Sequence, residues 1–342
     1  MTIHDPLVRR VLPVGTIDLC VGESHLVRQA LRDTFTPPST FDLLDVTNNC
    51  DYQEPEGYPP LVQSLERRHG QHVVITAGAK QGLAACFYAA KRMGMDGLTM
   101  RTPYWSQMPH AAKIMGLMPH FTDAPINNCA HLIVSPNNPD GHVMSLADAA
   151  VLKEQCRQLG VPLIHDAAYH TPVYLNEMTC ADPLPDLADI TIYSVAKMYG
   201  MSGLRIGWVT CKDLDFKQHV CDYVETTTVG VSVLSQRTAH RIIQLEETVP
   251  GLRELFTHRA QQLLIEAKKV AAKLDPDVLD ATGVEQSIGM FGWFKVGPRF
   301  DNEIARIAVA HGEHFGDETR VRLNLAVEPH LLYEAISRLN RL

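Results

Sequence analysis

The chain has 342 residues, enough for about two domains at roughly 150 residues each and for a large core. Apolar residues make up 45% and charged residues 20%, which excludes a disordered chain. Lys plus Arg is 31 against 39 for Asp plus Glu, a net charge of −8 that argues against a general nucleic-acid binder, and no apolar run reaches the ~18 residues of a membrane span.

In chain order, Pro59–His69 is the first predicted helix: it opens on prolines suited to a first turn, places Leu61 and Leu65 on one face and stops at Gly70. A strand at His72–Thr76 leads to a helix at Ala79–Met93, where Leu83, Phe87 and Ala90 share a face before Gly94. Strands follow at Gly97–Arg101 and His131–Ser135. A helix then runs to Leu159, opening at Ser145 as N-cap with Asp148 three residues on. Further strands are expected at Val161–His165, Asp189–Tyr193 and Ile206–Thr210. Several of these strands are apolar on successive residues, the pattern of a mainly parallel sheet covered on both faces. Beyond about residue 230, Phe256, Ala260, Leu263, Leu264, Ala267, Val270, Ala271 and Leu274 recur at helical spacing as one long amphipathic helix. Strands at Met290–Val296 and Arg320–Ala326 and a closing helix at Leu331–Leu342 complete the chain. The fold class is therefore α/β: a large domain over residues 46–240, and a smaller α+β domain made from residues 1–45 and 241–342.

Four segments carry chemistry. They are Ser135-Pro136-Asn137-Asn138-Pro139-Asp140-Gly141, His165-Asp166-Ala167-Ala168-Tyr169, Ser194-Val195-Ala196-Lys197 and Gly203-Leu204-Arg205-Ile206-Gly207. Each lies at the end of a predicted strand or on the turn into the next, the edge where open α/β sheets bind ligands. Alone, each has an ordinary reading as a turn, a cap, a surface lysine or a flexible loop. No G-x-G-x-x-G follows the first strand, so a dinucleotide fingerprint is missing.

Together, the order and intervals of these segments resemble the fold-type I pyridoxal 5′-phosphate (PLP) enzymes, specifically the class I/II aminotransferases. In that family a serine stands three residues before the Schiff-base lysine, and an arginine eight residues after it lies inside G-x-R-x-G. Ser194, Lys197, Gly203, Arg205 and Gly207 match those intervals, and the resemblance runs from Asp18 to the C-terminus. It implies that Lys197 bonds the cofactor and shuttles a proton, that Asp166 pairs with the pyridine nitrogen, and that Tyr169 and Asn138 hold O3′. Gly78, Ala79 and Lys80 would open a helix onto the phosphate, joined by Ser194 and Arg205. Ala79 brings no hydroxyl where relatives often have Ser or Thr, and Lys80 is a departure from their pattern. Trp105, two residues after Pro103, would stack on the ring. Tyr52 would reach a neighbouring subunit's phosphate, making the active unit a homodimer with shared sites. Arg322 would grip the substrate α-carboxylate, with Arg320 on the same strand face as its rival, and Gly22 would join it at the substrate.

Closer details resemble the alliinase and plant tryptophan aminotransferase branch. They are the Ser135–Gly141 segment, Asp166-x-Ala168-Tyr169-x-x-Pro172-x-Tyr174, the Arg205–Trp208 stretch and Thr228-Val229-Gly230-Val231-Ser232. The cysteine-rich module of plant alliinases is missing. Histidinol-phosphate aminotransferases and threonine-phosphate decarboxylases share the core motif and a similar length. The expected reaction is transamination between an amino acid and a 2-oxo acid. Decarboxylation and β-elimination are the alternatives on the same residues, and a regulator that has lost catalysis is a more distant one. His165 and His170 beside the cofactor residues are satisfied loop histidines or pocket lining. His311-x-x-His314 has no third ligand at a convincing spacing, so no metal is expected. Eight scattered cysteines without a C-x-x-C pair, and an N-terminus lacking a basic start and apolar stretch, lead to an expected cytoplasmic location.

Overall fold

The Val- and Ile-rich runs in the middle of the chain assemble into one sheet in the computed structural model, which describes residues 12–20, 24–34, 52–175 and 184–342. The strands are β1 (Ile17–Asp18), β2 (His72–Thr76), β3 (Gly97–Met100), β4 (Met118–Phe121), β5 (Cys129–Val134), β6 (Leu163–Asp166), β7 (Ile190–Ser194) and β8 (Gly207–Cys211). Then come β9 (Leu279–Asp280), β10 (Phe291–Val296), β11 (Ile307–Ala308), β12 (Ala310–His311) and β13 (Arg320–Asn324).

The large sheet has seven strands in the order β2-β8-β7-β6-β5-β3-β4. From β7 to β4 all neighbours are parallel, and β8 is antiparallel to both β2 and β7. Strands β3, β5, β6, β7 and β8 are buried at every residue, so their sequences are mostly apolar on both faces, and the few polar residues among them, such as Thr99, His131, Thr191 and Thr210, are buried too. Val74, Leu98, Ile164, Ile192 and Val209 face the Ala79–Arg92 and Leu214–Thr228 helices. Val73, Ile75, Tyr193 and Trp208 face the opposite side, against the Pro59–His69 and Val233–Thr248 helices. Ile133 and Leu163 lie under the Leu146–Leu159 helix.

A second sheet of order β12-β13-β10-β9 is antiparallel throughout, and β1 pairs with β11 in parallel. Behind it the Leu252–Ala271 helix buries Ala260, Leu264, Ala267 and Ala271 together with Val27 and Ala30 of the His25–Thr34 helix and Leu332 and Ile336 of the Pro329–Leu339 helix.

The expected strands stand within one or two residues of those observed. Besides His25–Thr34 and the four-residue helices Leu184–Leu187 and Val195–Met198, three helices of the described residues lie outside the expected set: Gln107–Ile114, Leu214–Thr228 and Val233–Thr248. The second ends in Thr226, Thr227 and Thr228, β-branched residues that weaken its sequence signal. What starts it is a cap, Asp213 accepting the Phe216 N–H at 2.7 Å. The long C-terminal helix begins four residues earlier than the apolar spacing suggests, at Leu252, because Gly251 in the left-handed region turns the chain there.

Candidate active site

Asp166 is the last residue of β6, buried to 4% exposure, and its Oδ1 accepts the Ala168 N–H at 3.0 Å. Among the described residues no cation pairs with it, and burial raises its carboxyl to about 6. A buried acid in this state fits a cationic ring nitrogen as its missing partner. Tyr169 follows on the next turn, also buried, with its phenol pushed upward by burial and therefore protonated and able to donate. Lys197 stands in the four-residue Val195–Met198 helix at the end of β7, with Nζ 5.9 Å from the centre of the Tyr169 ring.

On the neighbouring β2 edge, Gly78 has φ 79° and ψ 169°, a conformation almost confined to glycine, and opens the Ala79–Arg92 helix. A Cβ there would lie 2.5 Å from Arg205 Nη2. Arg205 is itself in the left-handed region at φ 55° and donates to the carbonyls of Ser202 and Ala77, each at 2.9 Å. A glycine cradle, the N–H groups of a helix's first turn and a guanidinium at one point fit a phosphate. Ser194 Oγ accepts the Ala196 N–H at 3.3 Å, so the serine caps the Lys197 helix and keeps its hydroxyl proton for another acceptor. Gln81 ties the cradle to the Thr227–Thr228 end of its neighbouring helix: it accepts the Ala77 N–H at 2.6 Å and donates to Thr227 at 3.2 Å.

Asn138 and Arg322 bring the two sheets together. Arg322 is 2% exposed; Nη1 donates to Asn138 Oδ1 and Nη2 to the Cys20 carbonyl, both at 2.7 Å. Its guanidinium lies 4.1 Å from the Phe291 ring centre and 4.9 Å from that of Phe315, two cation–π contacts of about 0.5–2 kcal/mol each. Phe291 also meets Tyr169 edge-on at 5.8 Å, so one ring separates the phenol from the guanidinium. Arg320, the rival, is engaged at the rim with the Trp293 carbonyl at 3.2 Å and Asp317 at 3.5 Å. Trp293 stands directly opposite Arg322 across β10 and β13, on the same face. Trp293 and Trp105 both pack on the cluster of Cys20, Ala308, Ala310 and Phe315, and Lys80 Nζ lies 5.6 Å from the Trp105 ring centre.

Tyr52 is 87% exposed and apart from this group. Gly22 lies outside the described residues. His165 does not line a pocket: it is fully buried on the β6 face opposite Asp166, Nε2 lies 3.0 Å from the Ser135 carbonyl, and burial lowers its pKa to about 3, so it is neutral. The sequence reading missed Phe291, Phe315 and the Cys20 carbonyl. The register of β10 beside β13 was a signal for Phe291 alone; Phe315 and Cys20 lie off both strands.

The family model of class I and II aminotransferases matches residues 14–339. The chain is 28% identical over 321 residues to tryptophan aminotransferase-related protein 2 of Arabidopsis thaliana, covering 82% of this chain and 69% of that one. To a probable aspartate/prephenate aminotransferase of Aquifex aeolicus it is 25% identical over 303 residues, covering 79% and 75%. The solved aspartate aminotransferase of Thermus thermophilus with maleate superposes with a TM-score of 0.76 at 20% identity, over 95% of this chain and 91% of that one.

Proposed function

The chain belongs to the class I and II aminotransferases, PLP-dependent enzymes that move an amino group from an amino acid to a 2-oxo acid, and from that membership we propose what its own residues do. PLP supplies the electron sink for chemistry at the substrate α-carbon. The Lys197 amine bonds the cofactor and, once released, moves a proton at the substrate α-carbon. Asp166 keeps the ring nitrogen protonated. Asn138 and the protonated Tyr169 hold the ring oxygen, while Gly78, Ala79, Lys80, Ser194 and Arg205 hold the phosphate. Trp105 covers the ring. Arg322 grips the α-carboxylate, and Gly22 lies beside it by the family pattern.

The single observation that carries this reading is the Arg322–Asn138 bond, because it joins a carboxylate anchor on the second sheet to the cofactor turn of the first. The reading divides the chain into a cofactor domain, 46–240, and a domain of both ends, 1–45 and 241–342. Tyr52, exposed in one protomer, reaches the phosphate of a partner, so the active unit is a homodimer. The cytoplasm is the proposed location; the buried cysteine thiols at 86, 129, 156, 211 and 221 support it. Among the described residues no helix is long and apolar enough to cross a membrane.

Trp293 and Trp105 around Phe315 favour an amino donor with a planar apolar side chain. Holoprotein mixed with one amino acid at a time and no oxo acid tests both points by mass spectrometry of the released cofactor. Conversion to pyridoxamine phosphate with aromatic donors before acidic ones is expected. Unconverted PLP accompanied by an amine or a β-elimination product would overturn transamination as the main reaction.

A further inference from the structure

Tyr174 closes the run Asp166-x-Ala168-Tyr169-x-x-Pro172-x-Tyr174 and is not among the residues proposed to touch cofactor or substrate. Its side chain is buried, and its hydroxyl donates to the main-chain carbonyl of Lys197 at 3.0 Å. The same oxygen lies 2.8 Å from Ser24 Oγ, which in turn lies 3.0 Å from Met290 Sδ. The Lys197 carbonyl and the Met290 thioether only accept, and the two hydroxyls bring one proton each, so a phenol proton given to Lys197 leaves the Ser24 proton shared between the phenol oxygen and Met290 Sδ. Burial pushes the phenol upward, which keeps that proton in place.

The relay continues into the chain's N-terminal part. The Ser24 carbonyl accepts the Arg28 N–H at 3.0 Å, at the start of the His25–Thr34 helix. That helix meets the lysine turn a second time, where Arg28 Nε donates to the Gly200 carbonyl at 2.9 Å. A Cβ on Gly200 would lie 2.6 Å from Ser24 O and 2.7 Å from Arg28 N, so only glycine permits the approach. On the far side the Tyr199 hydroxyl donates to Glu246 at 2.8 Å. The Val195–Met198 helix has four residues, too few to hold its own place, so these contacts set where the lysine stands.

We propose that Tyr174 is a positioning residue whose hydroxyl fixes the main chain of Lys197 and, through Ser24, ties the location of its amine to the His25–Thr34 helix and the Met290 edge of the second sheet. The inference rests on the reading of Lys197 as the amine that bonds the cofactor. Proton transfer at the α-carbon needs that amine placed within a fraction of an ångström, and a displacement of about 1 Å can reduce a rate by about 10²-fold.

The test compares wild type, Tyr174→Phe, Ser24→Ala and Lys197→Ala as holoproteins. Tyr174→Phe keeps the ring and removes only the hydroxyl. The expected result is a fall in kcat of roughly tenfold to a hundredfold with KM within about twofold, and a smaller fall for Ser24→Ala. The visible circular dichroism of the bound cofactor should change in both, and amides 198–200 should exchange faster with solvent, in the cofactor-free protein as well. Wild-type dichroism and kcat in Tyr174→Phe would overturn the positioning role alone. If Tyr174→Phe fails to fold, the same readouts on Ser24→Ala decide, and an unchanged Ser24→Ala overturns it. Cofactor still fixed covalently to the protein by borohydride reduction of Lys197→Ala would overturn the lysine assignment instead.

Discussion

Asp166 carries the clearest physical consequence of a single side chain. Its folded pKa, about 6, lies above its ordinary value of 3.8 because burial opposes the charge. For a raised pKa, the contribution to stability is complete below the unfolded value and is lost as the pH rises through the folded one. The cofactor-free protein should therefore lose stability between about pH 4 and pH 6. Asp166→Asn should remove that slope and stabilise the cofactor-free protein at pH 7 by up to about 3 kcal/mol. Urea midpoints measured from pH 4 to pH 7 check this, and parallel slopes for the two proteins would contradict it. With cofactor present the sign reverses: breaking the buried ion pair should weaken retention by roughly 10²-fold or more. Asp166, Asn138, Lys197 and Arg205 were legible because polar residues at fixed intervals on strand edges have few structural reasons to recur together. Phe291 and Phe315 were not, since an apolar residue in a strand reads first as core and nothing local reveals a guanidinium against its ring.

At the scale of elements, the parallel sheet was readable from its apolar runs, and β6 and β7 each run one residue beyond the expected end, onto the buried polar residues Asp166 and Ser194. The missed helices 214–228 and 233–248 are set by caps and packing more than by propensity; Asp213 and Ser232 start them. The joint between β7, β8 and the phosphate turn is a close contact of main chain on main chain. A Cβ at Gly207 would stand 2.6 Å from Tyr193 O and 2.8 Å from Gly78 C, all main chain. Gly207→Ala should cost about 1–3 kcal/mol and weaken cofactor retention, whereas Gly203→Ala, with nothing within 4 Å, should leave both nearly unchanged. Thermal melts of the two holoproteins and their rates of cofactor loss separate these outcomes.

For the whole molecule, the site draws on both sheets and, in the proposed dimer, on a second chain. Mixing Lys197→Ala protomers with Tyr52→Ala protomers gives hybrids in which one site carries both lesions and the other neither. Regain of about a quarter of wild-type activity is expected for a two-fold dimer with shared sites; activity no greater than the sum of the parents places Tyr52 elsewhere. Sequence alone could not reveal how the chain ends close over the large sheet, because the contacts Arg322–Asn138 and Tyr174–Ser24 join positions 184 and 150 residues apart. One feature of the large sheet bears on how such a chain can change. Since β8 runs against β7, its beginning lies at the edge where β7 ends, and a single short loop carries both Lys197 and Arg205. A parallel neighbour would have required a crossover of about a dozen residues or more between them. Insertions between residues 198 and 204 would therefore pull the amine and the guanidinium apart at once. The loop's length is inherited as a unit with the chemistry, while the loops joining the parallel strands remain open to growth.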